Sequence, residues 1–264
     1  YGQLYRRFPD AQVIVRHHAH VLAAHWAGFP VVRYLVPSLS SIQLAAELPG
    51  RGWFARLKIL AHIAVDGWAQ RRALRRAQLY VFSEVIEGQI RQALGRAGRG
   101  RVIASVKPGI DPERFSPPSG DDKSVLRQAL GLPAEGCCLL FVGRFSLGKG
   151  ADYLLRALAD LPMHYSAVLV GEGEQGAALR DQSAALSIQS RVVFAGSTSR
   201  VEDYYRAAGV FVNPTQSEGF GQTFIEAAAC GLRAVAFHQS TGVLTATHSL
   251  GLDSCIDYAT ALSG

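Results

Sequence analysis

Apolar residues recur along this chain in short blocks separated by longer amphipathic stretches, the pattern of strands alternating with helices. Val13-Ile14-Val15 predicts a short buried strand, followed by a helix through residue 24 and a break at Gly28 and Pro30. Residues 31–36 predict the next strand. Trp53, Leu57, Leu60, Ala64 and Trp68 stand near helical spacing and predict a long helix, or a helix pair, over residues 53–77. A strand over 79–82 follows, then a helix over 84–94 capped by Ser83, then a strand over 101–106. After residue 122 the alternation resumes. A short helix over 123–130 leads into strands over 138–142, 167–170, 192–195, 210–212 and 233–237. Helices over 151–161, 175–186, 201–207 and 224–230 lie between them.

This alternation argues for α/β architecture with parallel sheets. Pro108, Pro112, Pro117 and Pro118, with Gly109 and Gly120, interrupt it. Residues 108–122 therefore read as a linker between a first domain over 1–107 and a second over 123–264. The length of 264 residues fits two domains at about 100–200 residues each. Four strands precede the linker and five follow it, so both domains look clipped at their outer ends.

Composition narrows the class. Apolar residues make up 48% of the chain and charged residues 18%, against a typical charged share of about 25%. That excludes a disordered chain, which could not offset its conformational entropy. No apolar run is long enough to cross a membrane, and the N-terminus carries no signal-peptide pattern, although it starts at Tyr1 rather than Met. Cys137, Cys138, Cys230 and Cys255 show no zinc-type spacing and read as reduced thiols of a cytosolic protein. The net charge of +6 is local: residues 51–80 hold Arg51, Arg56, Lys58, Arg71, Arg72, Arg75 and Arg76 against the single acid Asp66.

The most informative chemistry lies in residues 209–236. A buried strand is broken by Asn213 to Gln216, and Glu218-Gly219-Phe220-Gly221 then leads into a helix carrying Glu226. A helix start offers free N–H groups and a positive dipole end, which suits an anion. The two glutamates are poor phosphate ligands but good acceptors for hydroxyls. A ligand both phosphorylated and rich in hydroxyls would satisfy both.

Two further glycine-rich loops bear on this. Gly171-Glu-Gly-Glu-Gln-Gly176 matches the dinucleotide pattern, but Glu172 and Glu174 would repel a pyrophosphate and the next strand ends in Gly196 rather than an acid. A tight strand-to-helix turn explains it better. Gly143-Arg-Phe-Ser-Leu-Gly-Lys-Gly150 nearly matches a P-loop, but Gly150 stands where a magnesium-binding hydroxyl belongs, which argues against an NTPase. It does place Arg144 and Lys149 at the carboxyl end of a strand, a bidentate fork and a point charge suited to a diphosphate.

Taken together these loops resemble family 4 retaining glycosyltransferases of the GT-B fold. Val106-Lys-Pro-Gly-Ile-Asp-Pro-Glu-Arg-Phe-Ser-Pro117 looks like their interdomain signature, residues 141–150 look like their V-G-R…K-G loop, and Glu218 with Glu226 matches their E-x₇-E. The resemblance implies an α/β GT-B chain of two Rossmann-like, doubly wound domains, the first incomplete. It implies a hexose-type sugar moved from a UDP- or GDP-sugar to a hydroxyl of a glycan or lipid-linked acceptor. Gly143, Arg144 and Lys149 would hold the diphosphate, and Glu218 with the backbone of Gly219, Phe220 and Gly221 would hold the sugar. Glu226 would accept both ribose hydroxyls, and Val193 and Phe194 would face the base. Catalysis would rest on Glu218, Arg144 and Lys149, with no metal and no cofactor, since the bases replace Mg²⁺ in stabilising the leaving group. A sugar-nucleotide epimerase, or a non-catalytic remnant that only binds the donor, would share this pocket.

The chain departs from the family in two places. Arg33-Tyr-Leu-Val-Pro-Ser38 has no histidine where the family often has a functional one, and Leu147-Gly148 replaces the usual Pro-Glu. His17, His18, His20 and His25 cluster upstream, with Asp10 as the only carboxylate near them in sequence, and read as solvated or hydrogen-bonded side chains. Residues 51–80 mix bases with Trp53, Phe54 and Trp68 and read either as a surface for an anionic membrane or as an ordinary amphipathic helix with a solvated basic face. No nucleic-acid module is present. The expectation is a cytoplasmic protein, peripheral on the inner face of the membrane in the case that residues 51–80 bind it.

Overall fold

The computed structural model describes residues 1–39, 53–107, 109–218, 220–237, 244–245 and 254–259. It divides into two compact units, Tyr1–Pro108 and Gly109–Gly264.

Unit 1 runs α1 (Gly2–Arg7), β1 (Gln12–Val15), α2 (His18–Trp26), β2 (Val31–Val36), α3 (Trp53–Arg76), β3 (Gln78–Val81), α4 (Glu84–Leu94) and β4 (Ile103–Ser105). The four strands form one parallel sheet in the order β1-β2-β3-β4. Alternation along β2 buries Val32, Tyr34 and Val36, and these pack with Val21, Ala24, Ala73, Leu74, Val81 and Ile90. Each valine, leucine or isoleucine among them contributes about 1.5–3 kcal/mol when removed from water. Ser83 caps α4 as expected, accepting from the Ile86 N–H at 3.4 Å. β4 is shorter than the expected 101–106 because it is an edge strand whose ladder matches only Leu79–Val81 of β3.

The described polar contacts of the histidine cluster are hydrogen bonds, as expected, but one partner is remote in sequence. His17 caps α2, accepting from the Ala19 N–H at 3.2 Å. His18 is buried, and its Nε2 lies 2.9 Å from the Asp66 carboxylate of α3. A carboxylate does accompany the cluster. It comes from Asp66 in a helix remote in sequence and not from the nearby Asp10. Burial holds the His18 pKa below its ordinary value despite the attraction of Asp66, and His17 lowers it further. The neutral imidazole is favoured.

Unit 2 runs α5 (Asp122–Ala129), β5 (Cys137–Val142), α6 (Ala151–Asp160), β6 (Tyr165–Val170), α7 (Gly176–Ala185), β7 (Val192–Gly196), α8 (Val201–Ala207), β8 (Val210–Asn213), β9 (Ser217–Glu218), α9 (Gln222–Ala229), β10 (Arg233–Phe237), β11 (Leu244–Thr245) and β12 (Ile256–Ala259). Six strands form a parallel sheet in the order β12-β10-β8-β5-β6-β7, and β9 pairs with β11. β12 exceeds the five strands expected. Its Ile-Asp-Tyr-Ala sequence has no apolar run, and only pairing with β10 makes it a strand.

Successive residues of β5 serve opposite faces of the sheet. Cys138 and Leu140 pack with Val168, Phe211, Tyr205 and Phe224, while Leu139 and Phe141 pack with Leu154, Leu155 and Leu169. The four cysteines are free thiols. Burial raises the pKa of Cys138, and pushes Cys230 up to about 11.

The stretch read as a linker over 108–122 does not hang free of unit 2. Phe115 is buried in the core with its ring against Tyr205, centroids 6.1 Å apart. Arg114 pairs with Glu202 at 2.8 Å, and Arg206 donates to the Arg114 carbonyl at 2.6 Å. Pro108 lies outside the described residues. The proline-rich composition correctly signals irregular backbone, but irregular backbone can be strapped to a core when its aromatic residue finds a socket.

Candidate functional site

In chain order the six strands of the large sheet read 3-2-1-4-5-6. The order reverses between β5 and β8, and in open α/β sheets ligands bind outside the carboxyl ends of the strands at that point. Two of the glycine loops leave the sheet there, 143–150 after β5 and 214–221 after β8.

The first loop is held by its buried middle. Phe145 packs edge-on to Phe194 at 6.4 Å between centroids. Its N–H donates to the Glu172 carbonyl at 2.9 Å, and its own carbonyl accepts from the Gln175 N–H at 2.9 Å. With Phe145 pinned, Arg144 is left exposed and Lys149 half-buried on either side of it. The loop ends at Gly150, which precedes α6 in a left-handed conformation, φ +80°. A side-chain carbon there would sit on the Pro214 carbonyl oxygen.

Contact between the two loops explains that requirement. The Gly148 carbonyl accepts from the Gln216 N–H at 2.8 Å and from the Thr215 hydroxyl at 3.3 Å. Gln216 also donates through its side chain to the Tyr153 hydroxyl at 2.9 Å. Asn213 and Thr215 are buried, the Asn213 side chain donating to Thr223 at 3.3 Å and accepting from the Thr215 N–H at 3.3 Å. Sequence reading took Asn213 to Gln216 only as strand breakers. A run of polar residues at the end of a buried strand was the signal that they had bonds to make.

The loop over 171–176 backs this assembly. A side-chain carbon on Gly171 would fall on the Gly143 carbonyl, and one on Gly173 on the Phe145 carbonyl. Glu172 turns away to accept from the Ser197 N–H at 3.3 Å. These glycines serve close backbone packing of one loop on another.

Among the expected site residues, Gly143, Arg144 and Lys149 share the first loop, and Glu218, Phe220 and Gly221 share the second. Glu218 stands in β9, its backbone paired with Thr245. Gly219 lies outside the described residues. Gly221, φ +86°, precedes α9. Glu226 is half-buried in α9 and accepts from the Tyr205 hydroxyl of α8 at 3.0 Å. Burial raises the Glu226 pKa above the usual carboxylate range, while the Tyr205 hydrogen bond and the Arg114 charge pull it back. Tyr205 is fully buried and its own pKa lies well above normal, so it stays a donor. Val193 and Phe194 fall elsewhere. They lie within the edge strand β7, two strands from β5, and their side chains pack on opposite faces of the sheet, Phe194 beneath the Arg180 guanidinium at 4.4 Å. One ligand cannot lie against both side chains. Among the described residues no cluster of three or more His, Cys, Asp or Glu could hold a metal, and no helix is long and apolar enough to cross a membrane.

Two bases on a loop hydrogen-bonded to residues 215 and 216 at this switch point define a ligand site of the open α/β class. Residues 122–247 are a domain of the family Glycosyl transferases group 1, and the fold is that of GT-B glycosyltransferases. Among particular proteins, the chain is 36% identical over 192 residues to D-inositol 3-phosphate glycosyltransferase 2 of Catenulispora acidiphila, covering 64% of this chain and 43% of that protein. It is 34% identical over 175 residues to the D-inositol 3-phosphate glycosyltransferase of Mycolicibacterium smegmatis, covering 63% and 39%. The chain thus spans less than half the length of these relatives. Among solved structures it superposes on Anabaena Alr3699/HepE in complex with UDP-glucose with TM-score 0.75 at 23% identity, covering 94% of this chain and 64% of that one. For WaaG, a glycosyltransferase involved in lipopolysaccharide biosynthesis, the TM-score is 0.76 at 19% identity, covering 97% and 66%.

Proposed function

We propose that the protein is a retaining glycosyltransferase that moves a hexose-type sugar from a nucleoside-diphosphate sugar to a hydroxyl of a glycan or lipid-linked acceptor. The observation that supports this reading is the loop-to-loop brace: the Gly148 carbonyl holds Thr215 and Gln216, so the Arg144–Lys149 loop is tied to the turn after β8 at the strand switch point. Arg144 and Lys149 take the charge that develops on the diphosphate as it leaves, a term that is often the largest in catalysis of this kind. Glu218 and the backbone of Gly219 to Gly221 accept and orient the sugar. Glu226, aligned by Tyr205, accepts the ribose hydroxyls. Charge from Arg144 and Lys149 does the work a divalent metal does elsewhere. UDP is favoured as the first donor to try, because the HepE structure holds UDP-glucose. A lipid-linked acceptor suits the basic and aromatic helix α3 of unit 1.

The test is thermal unfolding of the chain with UDP, GDP and their sugars, wild type beside Arg144→Ala and Lys149→Ala. Stabilisation of the wild type by a nucleotide diphosphate, lost in both variants, supports the site. Stabilisation that survives in both variants refutes it. Nucleotide binding without transfer to any acceptor, in the chain restored to the length of its relatives, identifies a donor-binding protein without turnover.

A further inference from the structure

The strap that leads into unit 2 is folded back on itself by Asp111. The Asp111 carboxylate accepts from the Glu113 N–H at 3.0 Å and the Arg114 N–H at 3.4 Å, and its carbonyl accepts from the Phe115 N–H at 2.9 Å. This turn sends two neighbouring side chains to separate tasks. Phe115 enters the core against Tyr205. Arg114 stays above the Phe115 ring, its guanidinium 5.1 Å from the centroid. From there its Nε donates to the Glu202 carboxylate at 2.9 Å, and its Nη2 donates to the Ser199 carbonyl at 2.6 Å.

Ser199 lies in the loop after β7, and Glu202 in the first turn of α8. Both stand at the carboxyl end of the sheet, where open α/β folds hold ligands. Helix α8 also carries Tyr205, whose hydroxyl donates to Glu226 at 3.0 Å. One guanidinium fork thus fixes the helix that orients Glu226. The charges around Glu226 point the same way. Glu202 of α8 pushes its pKa up, and Arg114 of the strap pulls it down. Tyr205 of α8 and Cys230 at the end of α9 are neutral, the thiol being pushed up to about 11. Arg206 of α8 is turned to the Arg114 and Ser116 carbonyls, and Arg233 of β10 pairs with Asp257 at 2.8 Å. A carboxylate is an acceptor on both oxygens only while ionised.

We propose that Arg114 is a positioning residue for the nucleoside end of the donor: it clasps the strap to the loop after β7 and to α8, and so holds Glu226 as acceptor of the ribose hydroxyls. The inference deepens the nucleotide-sugar reading and rests on it.

The experiment is titration calorimetry of UDP and of 2′,3′-dideoxy-UDP from acid to neutral pH, wild type beside Arg114→Gln, Arg114→Lys and Glu202→Gln. The ratio of the two affinities isolates the ribose hydroxyls, and titration of the diphosphate, common to both ligands, cancels. Wild type should prefer UDP by about 10-fold or more, the effect of a hydrogen bond to a charged group, and should lose that preference on acidification. Arg114→Gln removes the charge that pulls Glu226 down, so its preference should be lost at a higher pH than in wild type. Glu202→Gln breaks the same ion pair but removes the charge that pushes Glu226 up, so its preference should be lost at a lower pH. Arg114→Lys keeps the charge without the fork and should keep the wild-type profile with weaker UDP binding. A strap that only holds the fold together gives shifts in one direction or none, and that result overturns the proposal while the donor site stands. Should Arg114→Gln fail to fold, Arg114→Lys and Glu202→Gln decide: the two profiles just given support the proposal, and any other pair overturns it. A wild type that binds both nucleotides equally removes the ribose role of Glu226 and the proposal with it. A wild type that binds neither removes the donor site itself.

Discussion

Gly148 and Gly150 have nearly the same φ, +82° and +80°, and differ in surroundings. A methyl group on Gly148 meets nothing within 4 Å, whereas one on Gly150 meets the Pro214 carbonyl. The pair therefore separates two effects. Gly148→Ala carries only the left-handed strain of a residue with a side chain, about 1–2 kcal/mol. Gly150→Ala carries the same strain and must also push the 214–216 backbone off the first loop. That movement breaks the Gln216 N–H bond at 2.8 Å and the Thr215 hydroxyl bond at 3.3 Å to the Gly148 carbonyl. At about 0.5–1.5 kcal/mol each, the excess is about 1–3 kcal/mol. For unfolding of a domain this size, 1 kcal/mol shifts Tm by about 2–4 °C, so Gly150→Ala should melt roughly 2–12 °C below Gly148→Ala by the same conversion. UDP binding should separate them as well. At 100 times Kd a ligand adds about 2.7 kcal/mol, and that stabilisation should persist in Gly148→Ala and be lost in Gly150→Ala. Circular dichroism melts with and without UDP measure both. If the two variants melt together and bind UDP equally, the loop-to-loop brace does not organise the site.

Lys149→Ala should weaken UDP binding by about 10- to 100-fold, the loss of a charge-assisted bond worth about 1.5–3 kcal/mol, read by titration calorimetry. Glu218→Gln should abolish sugar transfer in the chain restored to full length while UDP binding persists; full transfer would remove Glu218 from the site. In Tyr205→Phe the Glu226 carboxylate loses the bond that lowers its pKa, so its protonated range extends to higher pH. UDP affinity should then begin to fall at a higher pH than in wild type as the solution is acidified, and coincident pH profiles would refute the coupling. Because burial raises the Glu226 pKa in the fold above its ordinary value of 4.5, its contribution to stability is present below that value and lost as pH rises through the folded pKa. His18 has the opposite sign. Its folded pKa lies below 6.5, so the unfolded chain takes up the proton first and stability falls as pH drops below that value. Asp66→Asn should destabilise unit 1 by about 1–3 kcal/mol through loss of a bond to a charged group, measured by urea denaturation.

Local signals carried most of the architecture. Apolar blocks such as 138–142 and 167–170 announced buried strands because both their faces meet helices, and Ser83 announced a helix start because its hydroxyl bonds three residues ahead. The charge logic of the site was also legible. Arg144 and Lys149 stand together in sequence after one strand, and Glu218 and Glu226 stand together after another, so their chemistry could be read without knowing that the strands are neighbours. The excess of bases over residues 51–80 was equally plain, since net charge is a sum and needs no coordinates.

What was not legible depends on partners distant along the chain. β12 is a strand only because β10 offers it an edge, and Phe115 is core only because Tyr205 lies beneath it. Asp66 looks like an ordinary helix acid until His18, 48 positions earlier, is found against it. Val193 and Phe194 are adjacent in sequence, yet the period of two in a strand sends their side chains to opposite faces. Sequence determined most of the elements and which charges each loop carries, because those follow from periodicity and residue type within a few positions. Tertiary structure alone decided which loops touch and which carboxylate is engaged, because hydrogen bonds such as Gln216 to Gly148 exist only once strand order has brought remote segments within 3 Å.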